Sequence, residues 1–128
     1  MTTQRKVVWL GLLALASLWT AALVDGSENK DVIDGRVAFQ KRCTGCHALD
    51  HEKVGPRLAG VLGRKAGSVP MFPYSDGLKG SNIVWNERLI DQWLTDPESL
   101  VPDNDMGFRL NSPDERTAII AFLKETGK

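Results

Sequence analysis

Cys43, Cys46 and His47 lie within the run CTGCH, residues 43 to 47. On a helical turn, positions i, i+3 and i+4 share one face, so two sulfurs and one imidazole would project the same way. Four chemistries use such a set. A structural zinc ion needs four ligands. The chain has only two cysteines and two histidines, and His47, directly after Cys46, is an awkward partner to His51. A redox dithiol expects a β-α-β context, which the sequence lacks. A plain disulfide leaves His47 without a role. Covalent haem attachment is the remaining meaning of C-x-x-C-H. Both thiols add to vinyl groups of one haem, and His47 then reaches the iron from the same side.

A second axial position follows from that reading. Imidazole and thioether are the side chains suited to it, and His51, Met71 and Met106 remain as candidates. His51 is four residues from His47 and would have to cross to the opposite face. Met71 lies in a proline-flanked loop. Met106 sits in PDNDMGF, between two expected helices, beside Asp105 and Gly107 and outside any apolar stripe.

Three helical segments must position these residues. The first is expected from about Val32 to Cys43, with Asp31 as N-cap and Ile33, Val37 and Phe39 as apolar positions. The second starts after Asn86, carries Leu89, Ile90, Trp93 and Leu94 at helical spacing, and closes at Pro97. The third opens with the capping box Ser112-Pro113-Asp114-Glu115, continues through Ile119, Ile120, Phe122 and Leu123, and ends at Gly127. Residues 48 to 84 are rich in Gly and Pro, with no convincing strand pattern. A loop of that length is unusual in a compact domain. These helices also carry few apolar side chains for a core, so a large apolar cofactor would supply the missing volume. The expected fold is all-α.

The chain has 128 residues and equal numbers of basic and acidic ones, 16 of each. One small domain with a tail is expected. Zero net charge speaks against nucleic acid as partner, since a phosphate backbone selects a basic excess. Arg5 and Lys6 precede Asp25 and no acidic residue does, so the chain from Asp25 onward is slightly acidic. Residues 7 to 24 are uncharged and follow that basic start, as in an export signal or an uncleaved membrane anchor. Small residues at Ala14-Leu15-Ala16 and Thr20-Ala21-Ala22 offer cleavage points. The expected organisation is therefore signal or anchor over 1–24, linker over 25–30 and one domain over 31–128. Either reading of the N-terminal segment exports the rest, to the periplasm or an equivalent compartment, free or tethered to the inner membrane.

With these motifs in order, the chain resembles class I cytochrome c, of the mitochondrial and alphaproteobacterial soluble type. The likeness covers residues 31 to 126. CTGCH matches the haem-binding motif, and VGPRLAGVLGRKAG (54 to 67) is similar to the stretch that follows it in the family. FPYSDGL and IVW match the segment carrying a tyrosine and a tryptophan. DPESLVPDNDMGF is similar to the methionine loop, and ERTAIIAFLK to the C-terminal helix. The resemblance implies three main helices and long loops wrapped around one haem c, bound through Cys43 and Cys46. It implies His47 and Met106 as iron ligands, with the Pro56 carbonyl accepting from the other ring nitrogen of His47. Arg64, Tyr74 and Trp85 would surround the haem propionates, helped by Asn104, because a buried carboxylate needs donors or counter-charge. Gly35 and Phe39 would meet Ile119 and Phe122 where the first and last helices cross.

The implied activity is transfer of single electrons by a monomeric carrier, not an enzyme, between redox proteins such as membrane oxidase or reductase complexes. Met/His ligation and burial both predict a clearly positive potential. Phe108 would shield the haem edge. The rival is a haem enzyme or sensor with a labile sixth ligand. Three features depart from the family. Glu98 and Asp105 occupy places where lysines often stand, Trp93 replaces a tyrosine, and the stretch from His47 to Gly55 is shorter. Docking through a lysine ring is therefore not expected.

Overall fold

The computed structural model describes residues 26–128. The segment read as signal or anchor, 7–24, lies outside the described residues. Five helices follow in order: α1 (Gly26–Arg42), α2 (Asp76–Gly80), α3 (Glu87–Thr95), α4 (Pro97–Leu100) and α5 (Pro113–Glu125). Among the described residues there is no strand, only one isolated bridge between Lys65 and Val84. The fold is all-α, with three main helices and two short ones among the described residues.

Local chemistry accounts for the helix ends. The Asn86 side chain accepts from the Leu89 N–H at 2.9 Å and starts α3. The Ser112 hydroxyl accepts from the Glu115 N–H at 3.3 Å, and Pro113 takes the first turn of α5, where no donor is needed. Two expectations change. α1 begins at Gly26, so residues 26–30 of the expected linker are helical and Asp31 is interior. Ile33 and Val37, expected as apolar contacts, are 56% and 59% exposed, while Ala38 and Phe39 are buried. Pro97 ends α3 but also starts α4, again as a first-turn proline.

α1 and α5 cross where α1 carries glycine. A Cβ at Gly35 would lie 1.9 Å from the Ala118 carbonyl oxygen, so only glycine admits this approach. Phe39 and Phe122 meet beside it with ring centroids 5.4 Å apart. Ile119, Phe122 and Leu123 are buried on α5, and Ile90, Trp93 and Leu94 on α3. Each such side chain contributes about 1.5–3 kcal/mol on burial. Arg116 links the helices, its Nε donating to Asp91 Oδ1 at 2.7 Å.

The Gly- and Pro-rich stretch is ordered by its own backbone bonds. Gly63 N–H donates to the Trp85 carbonyl, Trp85 N–H to Arg64 and Ala66 N–H to Ile83, at 2.8 to 3.0 Å. These turns bury Val61, Ala66, Val69 and Tyr74. The loop and the three main helices together enclose a mostly apolar cavity of about 360 Å³.

Candidate haem site

CTGCH continues α1 as one more helical turn. Cys46 N–H and His47 N–H both donate to the Cys43 carbonyl, at 3.1 and 2.8 Å. That hydrogen bonding fixes the i, i+3, i+4 geometry, and Cys43, Cys46 and His47 all line the cavity. Burial pushes the Cys43 thiol up to about 11. A neutral sulfur is therefore favoured there, which a thioether satisfies and a thiolate metal site does not.

His47 is oriented by the next loop. Its Nδ1 lies 2.8 Å from the Pro56 carbonyl oxygen, which can only accept, so Nδ1 carries the proton. The Nε2 lone pair is then available to a metal. Burial holds the ring below its ordinary pKa, keeping it neutral, as a ligand must be. A Cβ at Gly55 would stand 2.2 Å from His47 Cε1. Glycine thus lets the backbone lie against the flat of the imidazole.

Met106 reaches the same cavity from the segment between α4 and α5. The Trp93 indole Nε1–H donates to its sulfur at 2.9 Å. Trp93 in turn meets Trp85 edge-on, with centroids 5.4 Å apart. An imidazole and a thioether on residues that line one mostly apolar cavity beside two cysteines are a donor set for haem iron rather than for zinc.

Pro56, Arg64, Tyr74 and Trp85 also line the cavity. Arg64 is half-buried and donates from Nη2 to the Arg57 carbonyl at 2.7 Å. Burial lowers its pKa without bringing it near neutrality. Tyr74 is buried, and its hydroxyl accepts from the Val69 N–H at 3.4 Å. Burial raises its pKa. Asn104 alone of the expected site residues does not line the cavity. Its side chain is bonded within its own segment, to Glu98, Val101 and Met106. His51 is exposed beside Asp50, and Met71 is 99% exposed. Neither lines the cavity, so of the three axial candidates only Met106 does.

The cavity rim is mostly apolar. Val54, Pro73 and Phe108 line the cavity and are exposed, and no lysine lines it among the described residues. Arg42 on the rim is held by Glu115 at 3.1 Å. Two contributions escape a reading of the sequence. Gly55 is visible there only as half of a Gly-Pro pair. The resemblance flags Trp93 as standing where a tyrosine near the methionine is usual, but its N–H bond to the Met106 sulfur is hidden within an apolar stripe that marks any core helix.

Helical frame, apolar cavity and the C-x-x-C-H turn at its wall define a protein built around a covalently held haem. A family model described as cytochrome c matches residues 32–127. Cytochrome c type-1 of Ascaris suum is 37% identical over 101 residues, covering 77% of this chain and 90% of that protein. Cytochrome c2 of Rhodomicrobium vannielii is 35% identical over 122 residues, covering 92% and 94%. Among solved structures, cytochrome cH from Methylobacterium extorquens superposes with a TM-score of 0.70 at 39% identity, over 74% of this chain and 98% of that one. The chain belongs to the cytochrome c family. It is an electron carrier, not an enzyme, and holds haem c through Cys43 and Cys46.

Proposed function

We propose that His47 and Met106 hold the two axial positions of that haem, and that the protein passes single electrons between redox complexes in an exported compartment. The bound haem supplies reversible exchange of one electron between ferrous and ferric iron. The chain's part is to hold, orient and exclude. Pro56 and Gly55 fix His47, and the Trp93 N–H fixes the Met106 sulfur. A thioether donor favours the ferrous state, and an apolar cavity disfavours the extra positive charge of the ferric one. Both raise the potential. Arg64, Tyr74 and Trp85 line the cavity and would receive the haem propionates.

The observation that carries this reading is that His47, with its Nδ1 taken by the Pro56 carbonyl, and Met106 line one cavity. With haem bound, His47 and Met106 would leave the iron no open position. Substrates would be kept from it and electron exchange would be outer-sphere, with Phe108 at the cavity wall. The N-terminal basic-apolar segment and the C-x-x-C-H motif support an exported location, free or tethered through residues 7–24. Among the described residues, no helix is long and apolar enough to cross a membrane. Partners would be oxidase or reductase complexes at the inner membrane, met by a monomer. The test is Met106→Ala in protein matured with haem. The weak sulfur–iron charge-transfer band of the ferric protein should vanish. A band that persists would assign the sixth ligand elsewhere.

A further inference from the structure

The backbone around Met106 has no regular structure to hold it. Among the described residues, no N–H or C=O of residues 102 to 109 takes part in a backbone–backbone hydrogen bond. Asp103 stands at φ 58°, in the left-handed region where few non-glycine residues sit. Such a segment keeps one conformation only if side chains tie it down.

Arg109 is bonded to Asp96 and the Met106 sulfur to the Trp93 N–H, and the turn ahead of Met106 is tied by Glu98 and Asn104. The Glu98 carboxylate on α4 accepts from the Asp103 N–H at 3.2 Å and from Asn104 Nδ2 at 2.9 Å. Asn104 Nδ2 also donates to the Val101 carbonyl at 2.9 Å, and its Oδ1 accepts from the Met106 N–H at 2.8 Å. A continuous chain of hydrogen bonds therefore runs from α4 through Asn104 to the backbone of Met106. α2 abuts the same turn, since a Cβ at Gly77 would lie 2.1 Å from the Pro102 carbonyl oxygen.

We propose that Glu98 and Asn104 are positioning residues that clamp Met106 in its ligating conformation and so keep the sixth site closed. The inference rests on Met106 as axial ligand. Charge-assisted bonds to a carboxylate are about twice as strong as neutral ones, so Glu98 is the firmer half of the clamp. Both hydrogens of the Asn104 amide are engaged, by Glu98 and the Val101 carbonyl. Opening the site requires Asn104 to release Met106, and the Glu98 carboxylate holds Asn104 against that release.

Imidazole competes with Met106 for ferric iron, so its affinity reads how firmly the clamp holds. The haem-loaded protein and three variants are titrated, while the sulfur–iron band and the melting temperature are recorded. Glu98→Gln keeps shape but sets amide against amide at Asn104. It should bind imidazole roughly tenfold more tightly than the parent, the effect of one lost charge-assisted bond. Asn104→Ala frees the Met106 N–H and should have at least that effect. The double variant E98Q/N104D restores a donor–acceptor pair, with the amide introduced on α4 now donating to the carboxylate introduced beside Met106. It should bind imidazole more weakly than Glu98→Gln, short of the parent because the Val101 carbonyl loses its donor, a coupling that independent sites would not show. A mere loss of packing would lower melting without this reciprocal rescue.

A parent with the band and single variants that titrate within about twofold of it would overturn the clamp alone. A double variant that behaves no better than Glu98→Gln would overturn the pairing. A parent without the band would overturn Met106 ligation and the clamp with it. If Asn104→Ala does not mature, Glu98→Gln and the double variant decide.

Discussion

The two sides of the cavity are held by different means. His47 ends a helical turn, donates its backbone N–H to Cys43, and has its ring pinned by the Pro56 carbonyl and the bare backbone of Gly55. Everything that fixes it is main chain or the lack of a side chain. Met106 hangs in an irregular segment, fixed by Asn104, Glu98 and Trp93 through side-chain contacts. Main-chain anchoring tolerates few substitutions, because the alternative is a clash. Side-chain anchoring can be altered stepwise, so the Met106 side is where firmness of ligation and potential can be adjusted without unmaking the fold.

That contrast breaks first at Gly55. Gly55→Val should displace the His47 ring and cost about 3 kcal/mol or more, the upper range for overpacking. The checks are haem absorbance per mole of purified protein and denaturant unfolding. Met106→Ala should leave the fold and both thioethers intact while the midpoint potential falls by a sizeable part of the ~0.8 V that axial ligands span. Potentiometric titration reads it. If the two variants lose haem equally, the asymmetry between the sides is wrong.

Trp93→Phe sharpens the comparison further. It keeps an aromatic ring but removes the N–H that draws electron density from the Met106 sulfur. The loss of about 1 kcal/mol should lower the potential by roughly 40 mV, since about 59 mV is tenfold for one electron. Two smaller effects concern the wall and the rim. Tyr74 has its pKa raised above 10.0 by burial. Its contribution is therefore complete below its ordinary value and lost as pH rises through the folded one. Tyr74→Phe should flatten the fall in unfolding free energy above about pH 10. Finally, with no lysine lining the cavity among the described residues and Arg42 paired with Glu115, the electron-transfer rate with an acidic partner should change little with salt. Stopped-flow rates at two ionic strengths would show it.

The main-chain side is legible in the sequence and the side-chain side much less so. C-x-x-C-H states its own geometry, since three residues at helical spacing must share a face. Ser112-Pro113 and Asn86 announce two helix starts by chemistry that acts within three residues. Gly35 is readable as a close approach through the family resemblance. The Glu98–Asn104 pair is not, because its spacing spans a helix end and a turn, where no periodicity applies. The resemblance alone sets Asn104 near the propionates, and its bonds to Glu98, Val101 and Met106 are visible only in the structure. The start of α1 reads too late because DGSENK is polar and offers no apolar periodicity from which a helix could be read. Ile33 and Val37 mislead in the opposite way, as apolar residues that the α5 crossing leaves outside.

Carbon monoxide added to the native ferrous protein at neutral pH tests the central claim most directly, because it binds only an iron with an open or readily opened sixth site. A spectrum that stays unchanged over minutes, with Met106→Ala forming the adduct within the mixing time, is the predicted result. Rapid adduct formation by the parent protein would contradict it and make this cavity a ligand-binding site instead of a closed conduit for electrons.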